Sequence, residues 1–424
     1  MAGLLPLQDA RAQVLATALP LVEVERVPLG RACGRHLAAA IHSDGEWPAT
    51  DRSAMDGFAL AAGASGLPAG SELPVIGESL AGAPFAGVVP AGAAVRIMTG
   101  AVVPAGVDTV VPVEASSGFG GARVTFPLAI AAGMNIRRRG SELAAGQRVL
   151  AAGHRIDAAA IGVLAVLGHQ EVVVRRRPRV AIVATGDEVV PIHETPAPHQ
   201  VRESNSWAVA AQIEACGGEA LRLGIAPDEP VALQRLLAQG LAAADVLVTI
   251  GGVSKGTHDL VHGALAALGM QTVFHGIDLK PGKPTLFGTI TSGAAAADAP
   301  RWVFGLPGNP ASTFTVFDLL VRPLLLRLAG GEAGDWTAVA KVSTGWKANS
   351  RLQASVARLR LGADGKVVVE LLRPSASGDP FALLHGDVYA LIPGQVPGQV
   401  PGQVAPGAEV AVSIVGRADG VRLP

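Results

Sequence analysis

Val246-Leu-Val-Thr-Ile-Gly-Gly-Val-Ser-Lys-Gly-Thr-His-Asp259 decides the architecture. Val246–Ile250 is a short, β-branched apolar run between Asp245 and Gly251-Gly252, so it reads as a buried strand. Leu260, Val261, Ala264, Leu265 and Leu268 then recur at helical spacing. The unit is strand, glycine-rich loop, helix. In an open α/β sheet, ligands bind at the carboxyl end of such a strand. Gly251 and Gly252 would let backbone N–H groups approach an anion, helped by the partial positive charge of the helix start. Ser254, Lys255, Thr257, His258 and Asp259 put polar groups at the same mouth. The loop fits neither common phosphate-loop pattern, so alone it suits a plain βα turn as well as a phosphate site.

The same alternation extends in both directions. Strands are expected at 180–184, 220–225, 272–277, 286–290 and 302–304, with helices after Ser204-Asn205, near Asp228-Glu-Pro230 and from Pro310 onward. The last helix is expected to bend at Pro323. This predicts a doubly wound, mostly parallel α/β domain over residues 178–331.

The flanks differ. Residues 1–177 begin with a helix ending before Pro20, a strand at 22–28 and a helical piece at 31–40. An inserted β module follows at about 44–143, with β-type runs at 72–76, 94–98, 109–113 and 123–126. A helix at 157–168 and a strand at 172–174 close this region. Residues 332–424 carry strand patterns again, at 339–344, 352–361, 366–372, 389–392 and 409–415, and suggest a small β-barrel. Three copies of Pro-Gly-Gln-Val at 393–404 are expected on an exposed loop, because proline and glycine at that density cannot form a central strand.

Composition narrows the function. A length of 424 residues implies several domains, and with a net charge of −1 nothing suggests a nucleic-acid surface or a polybasic membrane patch. Aromatics at 4% argue against base-stacking platforms. Cys33 and Cys216 sit in no metal or disulfide pattern and read as buried free thiols in a reducing compartment. Asp9 and Arg11 interrupt the first apolar residues, and no uncharged run reaches membrane-spanning length. A soluble cytoplasmic protein is expected.

Several residues can carry chemistry. Glu188 closes the Thr185-Gly-Asp-Glu188 turn at the same sheet edge as Gly251. Asp228 and Asp259 are as readily helix starts. Together the three carboxylates suit a divalent cation, since Mg²⁺ takes one or two carboxylates plus phosphate oxygens. Lys280-Pro-Gly-Lys-Pro284 is a rigid turn with Gly282 between two lysines suited to oxyanions. Leu306-Pro307-Gly308-Asn309-Pro310 would aim backbone N–H groups and Ser312 at an anion, or be a tight βα turn. Arg137, Arg138 and Arg139 read equally as phosphate ligands or a solvated edge. His199, His258 and His275 are scattered and receive no role.

Asp51-Arg-Ser-Ala-Met-Asp-Gly57, Ile97-Met-Thr-Gly100, Asn135-Ile-Arg-Arg-Arg-Gly140, Thr185-Gly-Asp-Glu188, Glu203-Ser-Asn205, Gly251-Gly-Val-Ser254, Lys280–Pro284 and Gly305–Ser312 occur in an order that resembles molybdopterin molybdenumtransferases, the bacterial MoeA family, related to the E domain of gephyrin and of plant Cnx proteins. The resemblance spans residues from about 5 to about 416. It implies insertion of molybdate into adenylylated molybdopterin with release of AMP, assisted by Mg²⁺. It further implies a homodimer whose site is shared between subunits, with Asp56 and Thr99 reaching across. Glu188, Asp228 and Asp259 would handle the cation, and Lys280, Lys283 and Ser312 the molybdate dianion. Molybdopterin adenylyltransferase and downstream cofactor-handling proteins are the implied partners. A free-standing adenylyltransferase or a gephyrin-like scaffold are the competing readings. Departures from the family occur at Gly140-Ser141-Glu142, at Lys255 and Thr257-His258, and in the C-terminal domain. There Arg358 is the best candidate for the oxyanion arginine, and Ser377, with Phe381 and Ala382, replaces a serine motif.

Overall fold

The structure is a computed structural model that describes residues 4–253, 260–291, 300–333, 338–347, 350–362, 365–372, 379–393 and 403–414. Ser254, Lys255, Thr257, His258, Asp259 and Ser377 lie outside the described residues, as does most of the Pro-Gly-Gln-Val repeat. The chain divides into two compact units: Met1–Ala39 with Gly153–Gly162 and His169–Pro424, and Ala40–Ala152 with Val163–Gly168.

The smaller unit is built on a five-stranded sheet of β1 (Gly57–Leu60), β2 (Ser71–Ser79), β3 (Ala94–Ile97), β4 (Thr109–Pro112) and β5 (Arg123–Phe126), in the order β4-β1-β3-β2-β5. Only β2 and β3 run parallel. β1 was not evident as a strand, because Gly-Phe-Ala-Leu is buried on both faces and shows no alternation. Phe58 and Leu60 pack with Val111, Val124 and Phe126, while Ala59 meets Ile97 and Val110. Gly57 has a steric cause: a Cβ there would lie 1.9 Å from the Val111 carbonyl oxygen.

The larger unit centres on six strands: β6 (Arg179–Thr185), β7 (Glu219–Ala226), β8 (Val246–Ile250), β9 (Gln271–His275), β10 (Leu286–Ile290) and β11 (Arg301–Leu306). Their order is β7-β6-β8-β11-β10-β9. The first four are mutually parallel, while β10 runs antiparallel to both its neighbours. Both faces are covered, which explains the continuous apolar runs. Val180, Ile182, Val246, Val248 and Phe304 pack with Val209 and Ile213 of α2 (Asn205–Ala215). Ala181, Val183, Leu247 and Val303 pack with Leu233 and Leu237 of α3 (Pro230–Ala243) and Val261 and Leu265 of α4 (Leu260–Ala267). Burying each large side chain of this kind contributes roughly 1.5–3 kcal/mol. The chain runs from β6 outward to β7, then returns past β6 to β8. The order therefore reverses between β6 and β8, where open α/β sheets place their binding crevice.

An N-terminal helix, α1 (Leu7–Thr17), buries Leu7, Ala10 and Val14 in this same core, and Thr17 Oγ1 accepts the Trp302 indole N–H at 3.0 Å. After β11 comes α5 (Pro310–Val316), then a π-helical turn at Phe317–Val321, then Arg322–Leu328. The irregular turn precedes Pro323, whose missing N–H cannot continue the ladder.

The C-terminal strands are β12 (Ala338–Val342), β13 (Leu352–Leu361), β14 (Val367–Leu371), β15 (Val388–Ile392) and β16 (Glu409–Ile414). They close into a five-stranded barrel in the order β13-β14-β12-β16-β15, with β15 pairing back onto β13. Leu279-Lys280 adds in parallel to β13 through Leu279↔Leu352.

Three expectations are corrected. The segment 31–40 is not helical: a single 3₁₀ turn at Leu29–Arg31 is followed by extended chain bridging His36 to Arg155 and Leu37 to Val174. Cys33 is exposed, whereas Cys216 is buried, and burial pushes its thiol up to about 12. In the last repeat copy, Gln403-Val404 pairs with Trp346-Lys347, and Val404 is buried in the barrel core, not on an exposed loop.

Candidate active site

Three carboxylates, Asp187, Glu188 and Asp228, follow the carboxyl ends of β6 and β7 and lie close enough to influence one another's charge. Beyond Thr185 the chain turns through Gly186, whose φ of +126° is open to glycine, and a Cβ there would lie 2.6 Å from Glu188 Oε2. The Asp228 backbone N–H donates to Asp187 Oδ1 at 3.2 Å. Partial burial raises the Asp228 carboxyl above its usual range, and the neighbouring charges of Asp187 and Glu188 push it the same way. Capping of α3 falls to Glu229, which accepts from the N–H groups of Val231 (3.1 Å) and Ala232 (2.7 Å), with Pro230 in the first turn. Asp228 is therefore not spent on the helix start. Among the described residues, no three His, Cys, Asp or Glu side chains converge tightly enough to enclose a metal ion alone.

The glycines of the β8 loop turn out to serve the protein's own packing. A Cβ on Gly251 (φ +91°) would lie 2.8 Å from the Thr185 carbonyl oxygen, and one on Gly252 (φ +65°) 2.6 Å from Val261 Cγ2. The Gly251 N–H already donates to the Leu306 carbonyl at 3.0 Å. It does not offer itself to an anion, contrary to the reading of bare glycine amides. What the glycines permit is the close approach of β6 and β8 at the reversal point.

The turn after β11 closes the same edge. Asn205, at the start of α2, donates from Nδ2 to the Gly308 carbonyl at 2.7 Å. A Cβ on Gly308 would lie 3.7 Å from Gly251 Cα, so the two loops run side by side. Thr313 donates its N–H to the Asn309 carbonyl at 2.9 Å and its hydroxyl to the Pro307 carbonyl. Pro310 opens α5, and Ser312 is buried at 4% exposure, which argues against its expected role at an oxyanion. Asn205 and its neighbour Glu203 were visible only as a motif. Glu203 is buried and accepts the Ser206 N–H (2.7 Å) and hydroxyl (2.6 Å), so it fixes the first turn of α2.

The lysine turn is folded tightly. Ile277 N–H donates to the Lys283 carbonyl at 3.0 Å, Gly276 N–H to the Thr285 carbonyl at 2.8 Å, and Thr285 Oγ1 to the Gly282 carbonyl at 2.6 Å. Gly282 is again a packing glycine, since a Cβ would lie 2.6 Å from Val316 Cγ2. Lys280 and Lys283 are both exposed.

In the smaller unit, Asp56 and Thr99 are brought together. Asp56 Oδ1 accepts both the Thr99 N–H (2.6 Å) and the Thr99 hydroxyl (2.7 Å). The backbone bond first, and the hydroxyl second, hold this exposed carboxyl below the usual range. The arginine run is committed to acids nearby. Arg137 pairs with Glu142, Arg138 with Asp51 at 2.7 Å, and Arg139 with Glu46. That favours a structural edge over a phosphate ligand for Arg137, and it gives the departing Glu142 a partner. In the barrel, Arg358 donates from Nε to the His385 carbonyl at 2.5 Å.

Comparison with known proteins gives these features a family. Residues 5–168 match the model of the MoeA N-terminal region (domain I and II), and residues 181–327 that of a probable molybdopterin binding domain. The chain is 37% identical over 320 residues to molybdopterin molybdenumtransferase from Nostoc, covering 75% of this chain and 72% of that one. The Haemophilus influenzae protein of the same name is 35% identical, covering 77% of this chain and 78% of its own. The chain belongs to the molybdopterin molybdenumtransferase family. Gephyrin from Dictyostelium discoideum is 33% identical over 73% of this chain and 47% of its own length. In three dimensions the chain is similar to a molybdopterin biosynthesis MoeA protein from Pyrococcus horikoshii. The TM-score is 0.76 at 28% identity, covering 97% of this chain and 99% of that one. The molybdopterin molybdenumtransferase fold, with its β-rich N-terminal region, central α/β domain and C-terminal barrel, is thus the fold of this chain.

Proposed function

We propose that this chain inserts molybdate into adenylylated molybdopterin, releasing AMP and completing the molybdenum cofactor. The observation that carries the reading is the acidic edge beside the point where the strand order reverses: Asp187, Glu188 and Asp228 follow the carboxyl ends of β6 and β7, and Asp228 is raised by burial first and by the charges of Asp187 and Glu188 after it. An edge of this kind suits a hard cation held by one or two carboxylates and completed by substrate phosphate oxygens. Glu188 and Asp228 are the ligands we assign, with Asp259 as the third. A bound Mg²⁺ would supply charge neutralisation and polarisation at the pyrophosphate phosphorus.

The chain's own groups do the rest. Gly251, Gly252, Pro307, Gly308, Asn309 and Pro310 shape the wall we assign to the pterin nucleotide, and Ser254 and Lys255 are assigned to it from the sequence alone. Lys280 and Lys283, exposed on a rigid turn, offer point charges to the molybdate dianion. Asp56, kept ionised by Thr99, is the acid assigned to the substrate from the smaller unit. We read the working form as a cytoplasmic homodimer sharing its sites between subunits. It would receive substrate from molybdopterin adenylyltransferase and pass product to downstream cofactor-handling proteins. No described helix is long and apolar enough to cross a membrane.

The test is direct. Purified protein with adenylylated molybdopterin, Mg²⁺ and molybdate should release AMP in proportion to molybdate. AMP release that ignores molybdate, or none at all, would remove the assignment.

A further inference from the structure

We propose that His275 is a positioning residue for the glycine loop, holding it in the shape that receives the pterin nucleotide. His275 ends β9, the outermost strand of the central sheet, on the far side from β6. Its Nε2 lies 3.1 Å from the Val253 carbonyl oxygen. A carbonyl can only accept, so Nε2 carries the proton and donates. That carbonyl belongs to the third residue of Gly251-Gly-Val253.

The contact is supported from both sides. The His262 ring, from α4, lies against His275 with centroids 5.1 Å apart, and His262 Nε2 is 3.1 Å from Thr272 Oγ1 on β9. The pair therefore ties α4, β9 and the loop to one another. Val253 itself is buried, and a Cβ on Gly305 would lie 2.6 Å from Val253 Cγ1. The side chain of Val253 is fixed by β11, and its carbonyl by His275. Gly251 is fixed by its bond to the Leu306 carbonyl at 3.0 Å. Each end of the tripeptide thus has its own anchor, and His275 is the one that is a side chain. A single imidazole carries a role that the scattered histidines of the sequence did not suggest.

This inference rests on the nucleotide-binding reading of the crevice, and the test separates the two. In the full-length protein without ligand, hydrogen exchange at Gly251–Val253 should accelerate about tenfold in His275→Phe, as expected when one anchoring hydrogen bond is lost, while β10 and β11 stay protected. His275→Gln, which retains an N–H donor, should keep the loop protected. Unchanged exchange in His275→Phe overturns the anchor whether or not the protein turns over. In AMP-release assays, His275→Phe should raise KM for adenylylated molybdopterin by about tenfold or more, as misplacement of a binding loop does. KM for molybdate should hold, and His275→Gln should restore the first value. Equal losses for both substrates, without rescue by glutamine, would make His275 a general structural residue and overturn the proposal. Wild-type protein that binds no adenylylated molybdopterin would remove the reading beneath it, leaving the exchange result to decide the anchor.

Discussion

The two edges of the central sheet are made from the same kinds of residue to opposite effect. At the amino ends of the strands, Asp245 is buried and accepts from both guanidinium nitrogens of Arg176 (2.9 and 3.0 Å) and from the Arg179 N–H (2.8 Å), with Arg301 at 3.5 Å. The Asp245 carboxylate raises the Arg176 guanidinium further above its usual value, despite burial. At the carboxyl ends, Asp187, Glu188 and Asp228 place like charge beside like charge. One edge satisfies its charges internally and holds the strands in register. The other keeps an electrostatic cost that a cationic ligand would relieve. On the function proposed above, stability and binding would be separated along the length of the same strands, as expected where ligands bind at strand carboxyl ends.

The largest test of this contrast is Asp245→Ala. It leaves the largely buried Arg176 with only Glu23 at 3.5 Å as a charged partner and the Arg179 N–H without its acceptor, so urea unfolding should show a loss of about 3 kcal/mol. Ground-state binding at the far edge should remain measurable at low temperature. If Asp245→Ala unfolds like the wild type, the amino edge is not the structural one.

Next in size is Glu188→Gln at the opposite edge. Unfolding should be nearly unchanged, whereas molybdate-dependent AMP release should fall by about 100-fold, the scale expected when one charge-stabilising group is removed. Full activity would take Glu188 out of the site.

A smaller effect is expected at Asp56, the acid with built-in donors. Thr99→Val removes the hydroxyl and leaves the N–H, so the Asp56 carboxyl should titrate closer to the ordinary aspartate value by NMR. Its depressed pKa contributes stability that is present above the unfolded value and lost as pH falls through the folded one. The variant should therefore show a flatter acid limb, together with lower turnover. An unshifted titration would mean that the backbone bond alone sets the charge.

The smallest effect should come from Asp228→Asn. Here the folded pKa is raised, so the cost of the ionised group is full above the folded value, shrinks as pH falls through it and is gone below the unfolded value. The variant should gain a few tenths of a kcal/mol at neutral pH, within the usual surface range, and nothing in acid. It should also lose sensitivity to Mg²⁺. A loss of stability at neutral pH would show that Asp228 is not under like-charge repulsion.

Much of the fold was legible in local pattern. Val246–Ile250 and Leu286–Ile290 are strands with the boundaries read from their apolar runs, and the alternation of strand and helix announced the parallel sheet. The barrel and its strands were equally visible, though not that β13 and β15 are the pair that closes it. β1 escaped because a strand buried on both faces loses its alternation. The segment 31–40 misled because its apolar residues answer to partners at Arg155 and Val174, far along the chain. The candidate site was legible as a set of motifs and not as a set of contacts. Nothing in the order of residues says that Glu229 caps the helix and releases Asp228, or that Arg137 meets Glu142.

Sequence alone determined the family, the layered α/β core and the acidic, glycine-rich and lysine-bearing turns, because periodicity and motif spacing are written residue by residue. Tertiary structure alone decided what each turn is for. It showed Gly251 and Gly282 to be demanded by neighbouring backbone and side chains, Ser312 to be inward, and His275 to hold the loop at Val253. The physical reason is distance in the chain. A hydrogen bond between residues 22 or 103 positions apart, as at His275 and Asn205, exists only once the sheet has brought its strand ends together. Val246–Ile250 can be read from its own five residues, but the loop it delivers takes its meaning from β6, β9 and β11.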